Sequence, residues 1–149
     1  MMRQMQGEIN LRVTKMTKIT GSCLCGDISY EISQNVGDIA HCHCIKCRKA
    51  HGAAFSSVAR IEDKNFSIIG EEKLNRYQSS PGKARCFCSN CGSQIYAKRD
   101  NTNFIILRLG TLNDESMAGS EYQESKHIWL AEKACWYEVH SEIEEEQEF

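Results

Sequence analysis

The sequence predicts one mainly β domain, and three observations carry that prediction. Apolar residues alternate with polar ones in short runs bounded by turns, the pattern of half-buried strands. Gly21, Gly26, Gly37, Gly52, Gly70, Gly82, Gly92 and Gly110 punctuate those runs. Helical signals are confined to short pieces. At 149 residues the chain is long enough to bury a core as one domain.

Residues 1–17 lack clear periodicity and predict an N-terminal extension, with Met16 a candidate start of the folded unit. The domain is expected to occupy residues 18–149. Ile28, Tyr30 and Ile32 alternate with Ser29 and Glu31 and predict a strand after Gly26. Phe55 to Ile61, Phe66 to Ile69, Gln94 to Ala97 and Phe104 to Leu109 predict four more, being rich in β-branched and aromatic residues. Helix is expected at Lys46 to His51 and at Asn113 to Ala118. The acidic tail from Glu138 to Glu148 reads as solvated. There is no repeat and no linker.

Composition narrows the function. Charged residues are 26% of the chain and the net charge is −2, a balance that disfavours a nucleic-acid groove or a membrane patch. No apolar run approaches the roughly 20 residues that span a bilayer. Met1 to Thr20 carries Arg3, Arg12, Lys15 and Lys18 without an apolar stretch, so a cytoplasmic protein without a secretory signal is expected. The nine cysteines would then sit in a reducing compartment, where metal binding outweighs disulfides.

Eight of those cysteines form three tight groups: Cys23 with Cys25; Cys42, Cys44 and Cys47; Cys86, Cys88 and Cys91. Thiolates so spaced are the usual wrapping of a tetrahedral zinc ion. A Cys-x-Cys pair makes a poor disulfide, because strand alternation keeps its sulfurs in line instead of facing. Ligand arithmetic then sorts them. Cys23, Cys25, Cys88 and Cys91 complete a closed four-sulfur site, which would tie an early strand to a distant turn. Cys42, Cys44 and Cys47 are one ligand short, as in a zinc that keeps a position open for chemistry.

His51, four residues after Cys47, is the alternative that would close the second site. His41 and His43 interleave with the cysteines, so an extended backbone turns them to the other face. Two zinc ions on seven thiolates would move the charge by 4 − 7 = −3, from −2 to −5. Lys46, Arg48, Lys49 and Arg85 are candidates for binding substrate carboxylates, against the plainer reading of solvated surface charge. Cys86 and Cys135 read as buried spare thiols.

These motifs resemble the glutathione-dependent formaldehyde-activating enzymes. The resemblance rests on Gly21-Ser22-Cys23-Leu24-Cys25-Gly26, on Cys42 through Gly52, and on Phe87-Cys88-Ser89-Asn90-Cys91-Gly92-Ser93. It runs on more loosely through Lys126-His127-Ile128-Trp129, Lys133-Ala134 and Trp136. It implies a β-tent of several curled antiparallel sheets stapled by two Zn2+ per chain. It also implies that Cys23, Cys25, Cys88 and Cys91 are structural while Cys42, Cys44 and Cys47 are catalytic.

The activity implied is a carbon–sulfur lyase reaction run in reverse, condensing glutathione or a similar small thiol with formaldehyde to give S-hydroxymethylglutathione. Two other readings stand beside it. One is a different thiol or aldehyde zinc enzyme on the same scaffold; the other is a non-catalytic zinc module that binds protein.

Overall fold

The computed structural model describes residues 18–140 and 142–148, so the expected N-terminal extension, residues 1–17, lies outside the described residues. The chain is mainly β. Among the described residues eleven strands run in order: β1 (Ile19–Ser22), β2 (Ser29–Ile32), β3 (Gly37–Cys42), β4 (Ser56–Glu62), β5 (Phe66–Ile69), β6 (Leu74–Ser80), β7 (Lys83–Cys88), β8 (Gln94–Arg99), β9 (Phe104–Arg108), β10 (Tyr122–Ile128) and β11 (Glu144–Glu145). The α-helix α1 (Ile45–His51) follows β3.

The strands make two sheets, a three-stranded one ordered β1-β2-β5 and an eight-stranded one ordered β11-β10-β3-β4-β9-β8-β7-β6. Most ladders are antiparallel, but β10 runs parallel to both β3 and β11. That parallel edge departs from the all-antiparallel expectation. It pairs segments more than 80 residues apart, Tyr122 with Gly37 and Ile128 with Cys42, which no local pattern announces. Part of the acidic tail is likewise drawn in: β11 adds to β10, Glu146 donates its N–H to the His127 carbonyl at 2.8 Å, and Lys126 Nζ reaches Glu146 Oε1 at 3.1 Å.

The two faces of the large sheet do different work. Ala59, Ile61, Ile105, Leu107, Tyr96 and Cys86 share a core with Ile19, Ile28, Tyr30 and Ile32 of the small sheet and its β1–β2 turn. Alternation turns their neighbours Val58, Ile106, Arg108, Ala97 and Arg85 the other way, into a cavity. Cys86 is fully buried in the core, as its sequence setting suggested. Cys135 is exposed instead. Ala134, wholly buried beside it, takes the inward position and leaves Cys135 and Trp136 facing solvent.

The second expected helix is only a 3-10 turn, Asp114–Met117, whose Ser116 hydroxyl and flanking Asn113 bond back to Thr20 of β1. Nearby, β1 approaches the β9 exit so closely that Gly21 bridges Leu112, and Tyr30 Oη meets Thr111 Oγ1 at 2.7 Å. A Cβ at Gly21 would collide with the Tyr30 ring and the Thr111 carbonyl. Gly21→Ala should therefore lower stability by about 1–3 kcal/mol, read as a shift in denaturation midpoint of the metal-loaded protein.

Candidate metal centre

The first cysteine group forms where two turns meet. Cys23 to Gly26 turns the chain from β1 into β2, and Cys88 to Ser93 turns it from β7 into β8. Each turn is closed by a glycine in the left-handed region, Gly26 at φ 83° and Gly92 at φ 79°, where other residues are strained. Leu24 N–H donates to Ser93 Oγ at 2.9 Å, locking one turn against the other. The sulfurs of Cys23, Cys25, Cys88 and Cys91 all lie within 4.8 Å of one another.

Whether these sulfurs suit zinc can be tested by distance. Zn–S bonds of about 2.3 Å in a tetrahedron require S···S edges of about 3.8 Å. Cys23 and Cys25 are 3.6 Å apart, and Cys25 and Cys88 are 3.8 Å apart. The Ile28 N–H also points at Cys23 Sγ at 3.3 Å, as a thiolate would attract. Burial pushes the Cys23 thiol up to about 11, whereas the Ser93 hydroxyl pulls Cys91 down to about 5. The donor set and spacing fit zinc.

The second group is assembled by the junction of β3 and α1. Cys42 ends β3; Cys44 is the residue that caps α1, its sulfur accepting the Cys47 N–H at 3.3 Å; Cys47 is the buried residue of the helix. This cap brings the Cys44 and Cys47 sulfurs to one side, and with Cys42 the three lie within 4.8 Å of one another. Among the described residues no histidine nitrogen or carboxylate oxygen joins either group. His51 in particular stands outside it: its buried Nε2 has no hydrogen-bond partner, and the ring lines a separate cavity of about 480 Å³ behind α1.

Cys47 is singled out electrostatically. Both terminal nitrogens of the buried Arg85 donate to its sulfur, at 3.8 and 3.6 Å. The neighbouring thiols Cys42 and Cys44 hydrogen-bond to it, and Arg108 and Arg85 add positive charge, so Cys47 is held far below the usual thiol range. Cys42 moves the other way, raised by hydrogen bonds to Cys44 and Cys47. A buried guanidinium is costly unless an anion pairs with it. Arg85 and Arg108 thus make this corner a place built for thiolates.

The trio opens into a cavity of about 430 Å³, within the usual range of small-molecule sites. Lys46 and Arg85, two of the cations expected from sequence, line it. Arg48 and Lys49 do not: Arg48 Nη1 is spent on the Glu132 carbonyl at 2.7 Å, and Lys49 faces solvent. Lys83, Arg99 and Arg108, which the sequence had not singled out, line it as well. Among the described residues none of the five lining cations is ion-paired with a carboxylate. Glu132, the acidic residue in the lining, instead accepts the Ile45 N–H at 2.8 Å.

The histidines sit on the other face of β3. His43 Nε2 and His127 Nδ1 are 2.8 Å apart, and His41 bridges Ser57 Oγ and Glu124 Oε1, both at 2.8 Å. His43 packs against the rings of Phe55 and Tyr137, and burial takes its pKa down to about 4, holding it neutral. None of the three lines the cavity.

The chain is similar to several known proteins. A protein of Schizosaccharomyces pombe named only as an uncharacterized lyase is 30% identical over 81 residues, 54% of this chain and 58% of that protein. One of Fusarium vanettenii, provisionally named a glutathione-dependent formaldehyde-activating enzyme, is 32% identical over 80 residues, 51% of this chain and 42% of that protein. The chain thus spans about half the length of these curated relatives. The crystal structure of a Rhodobacter sphaeroides protein superposes with a TM-score of 0.54 at 20% identity, covering 70% of this chain and 99% of that one, a likeness of fold. No described helix is long and apolar enough to cross a membrane. The sequence model of one family matches residues 18–132, both cysteine groups included, and by that match the chain belongs to the glutathione-dependent formaldehyde-activating enzyme family.

Proposed function

We propose that this chain is a zinc-dependent carbon–sulfur lyase-type enzyme that condenses glutathione, or a similar small thiol, with formaldehyde to give S-hydroxymethylglutathione. The observation that carries the reading is the three-sulfur group of Cys42, Cys44 and Cys47, open to a cavity whose cations have no carboxylate ion pair among the described residues. Cys23, Cys25, Cys88 and Cys91 would hold one zinc for structure, and the trio would hold the other.

The bound zinc would supply Lewis-acid stabilisation of a substrate thiolate near neutral pH. The remaining work falls to the chain. Arg85 fixes the Cys47 sulfur beside α1 with two hydrogen bonds, and the hydrogen bonds of Cys42 and Cys44 together with the charges of Arg108 and Arg85 favour its anionic form. Lys46, Lys83 and Arg99 draw an anionic thiol into the cavity. Apolar Val58, Ile106 and Ile128 exclude water from the space between. One S–C bond forms, the aldehyde C=O becomes C–OH, and the thiol proton ends on that oxygen. Holding thiol and aldehyde together lowers the barrier through orientation. His41, His43 and His127, on the far face of β3, are structural in this reading.

The test is formaldehyde exchange into S-hydroxymethylglutathione, followed by NMR with the zinc-loaded protein. Acceleration that follows metal content, with glutathione binding, is the expected result; two bound zinc ions without thiol affinity would sink the reading. The position of His51 outside the sulfur group speaks against the closed, non-catalytic module. A panel of thiols separates glutathione from another substrate on the same site.

A further inference from the structure

We propose that Lys83 and Arg99 form a carboxylate clamp at one end of the cavity, so that the site selects thiols carrying a carboxylate several bonds from the sulfur. The inference deepens the reading above and takes from it the position of the sulfur at the trio.

Lys83 and Arg99 stand directly opposite each other in the β7–β8 ladder, and both side chains line the cavity. Like charges facing across a strand pair destabilise a sheet. Among the described residues no carboxylate pairs with either: Asp100, next in the chain, forms an ion pair with neither. Lys83 is half-buried, and its pKa is lowered first by that burial and then by the charge of Arg108. A carboxylate lying between the two cations would relieve the repulsion.

Strand geometry sets the reach. Arg85 touches the Cys47 sulfur, and Lys83 lies two residues back on the same face of β7. At about 3.3 Å per residue, the backbone positions of the clamp lie about 7 Å along the strand from those of Arg85 and Ala97. The wall between is apolar: Ala97 pairs with Arg85 on β8, and Ile106 pairs with Ala97 on β9. The layout is thus sulfur at one end, an aliphatic or peptide stem along the wall, and a carboxylate at the other. Cysteine, whose carboxylate is close to its sulfur, could not reach both ends.

The probe is S-methylglutathione, which keeps both carboxylates and has no free thiol. Its affinity for the zinc-loaded protein should fall about tenfold in Lys83→Met and in Arg99→Gln, and stay within about threefold in the charge-preserving Lys83→Arg. The ethyl ester at its glycine carboxylate should bind the wild type as weakly as the free acid binds the variants. Cysteamine, a thiol with no carboxylate, should bind wild type and variants alike. Each neutralising variant should also melt at a higher temperature, because a repulsive pair has been removed; cations kept for structure would give the reverse. Equal S-methylglutathione affinity in wild type and double variant, or none in the wild type, would overturn the clamp. If the probe binding follows the clamp while no thiol binds the trio, the clamp stands and the thiol reading falls.

Discussion

Cys44→Ser is expected to lose one of two zinc ions, all thiol affinity and all formaldehyde turnover, while keeping the fold. The substitution is nearly isosteric, and serine is among the best N-cap residues. It can accept the Cys47 N–H that Cys44 Sγ now accepts at 3.3 Å, so α1 should form as before. What is removed is a soft thiolate, leaving two sulfurs for a metal that three already hold incompletely. Metal analysis should show one zinc per chain. With mild chelation that empties only the three-sulfur site, wild type and variant should differ in stability by less than about 1 kcal/mol, the scale of a helix cap. A variant that kept two zinc ions and full thiol affinity would show that Cys44 is not a ligand, and with it the proposed site would fail.

The cysteine groups were legible because ligand spacing is a local property. A Cys-x-x-Cys turn needs only its own glycine to close, so Cys88, Cys91 and Gly92 announce themselves. The strand at Ser29–Ile32 was legible for a similar reason, its apolar alternation being unbroken, and the one at Ser56–Glu62 from a run rich in β-branched and aromatic residues. Strands β6, β7 and β10 were not. Most positions of β6 are exposed, and β7 turns Lys83 and Arg85 to the cavity where a core strand would carry apolar residues.

The same blindness hid the cavity's cations. Sequence proximity to Cys47 favoured Arg48 and Lys49, but the helix carries them away from the cavity. Lys83, Arg99 and Arg108 arrive from three different strands, and only the register of β7, β8 and β9 brings them together. Long-range pairing decides such sites, and a single sequence read locally does not contain it.

Cys25→Ser should do the opposite of Cys44→Ser and unfold the protein. Cys25 is exposed, so its replacement opens no core cavity, and any large loss of stability must come through the metal. The four sulfurs join the β1–β2 turn to the β7–β8 turn, across 63 residues between Cys25 and Cys88. Structural zinc sites of this type contribute roughly 10–16 kcal/mol of binding in small peptides, against a total stability of only about 5–15 kcal/mol for a domain. Weakening the site by one ligand should therefore remove several kcal/mol, and the denaturation curve should approach that of chelated wild type. Stepwise chelation of wild type supplies the control. The three-sulfur site should release its zinc first, with thiol binding lost and the fold intact, and the four-sulfur site second, together with unfolding. Metal loss in the reverse order, or a Cys25→Ser protein as stable as wild type, would show that the structural and open sites have been assigned the wrong way round.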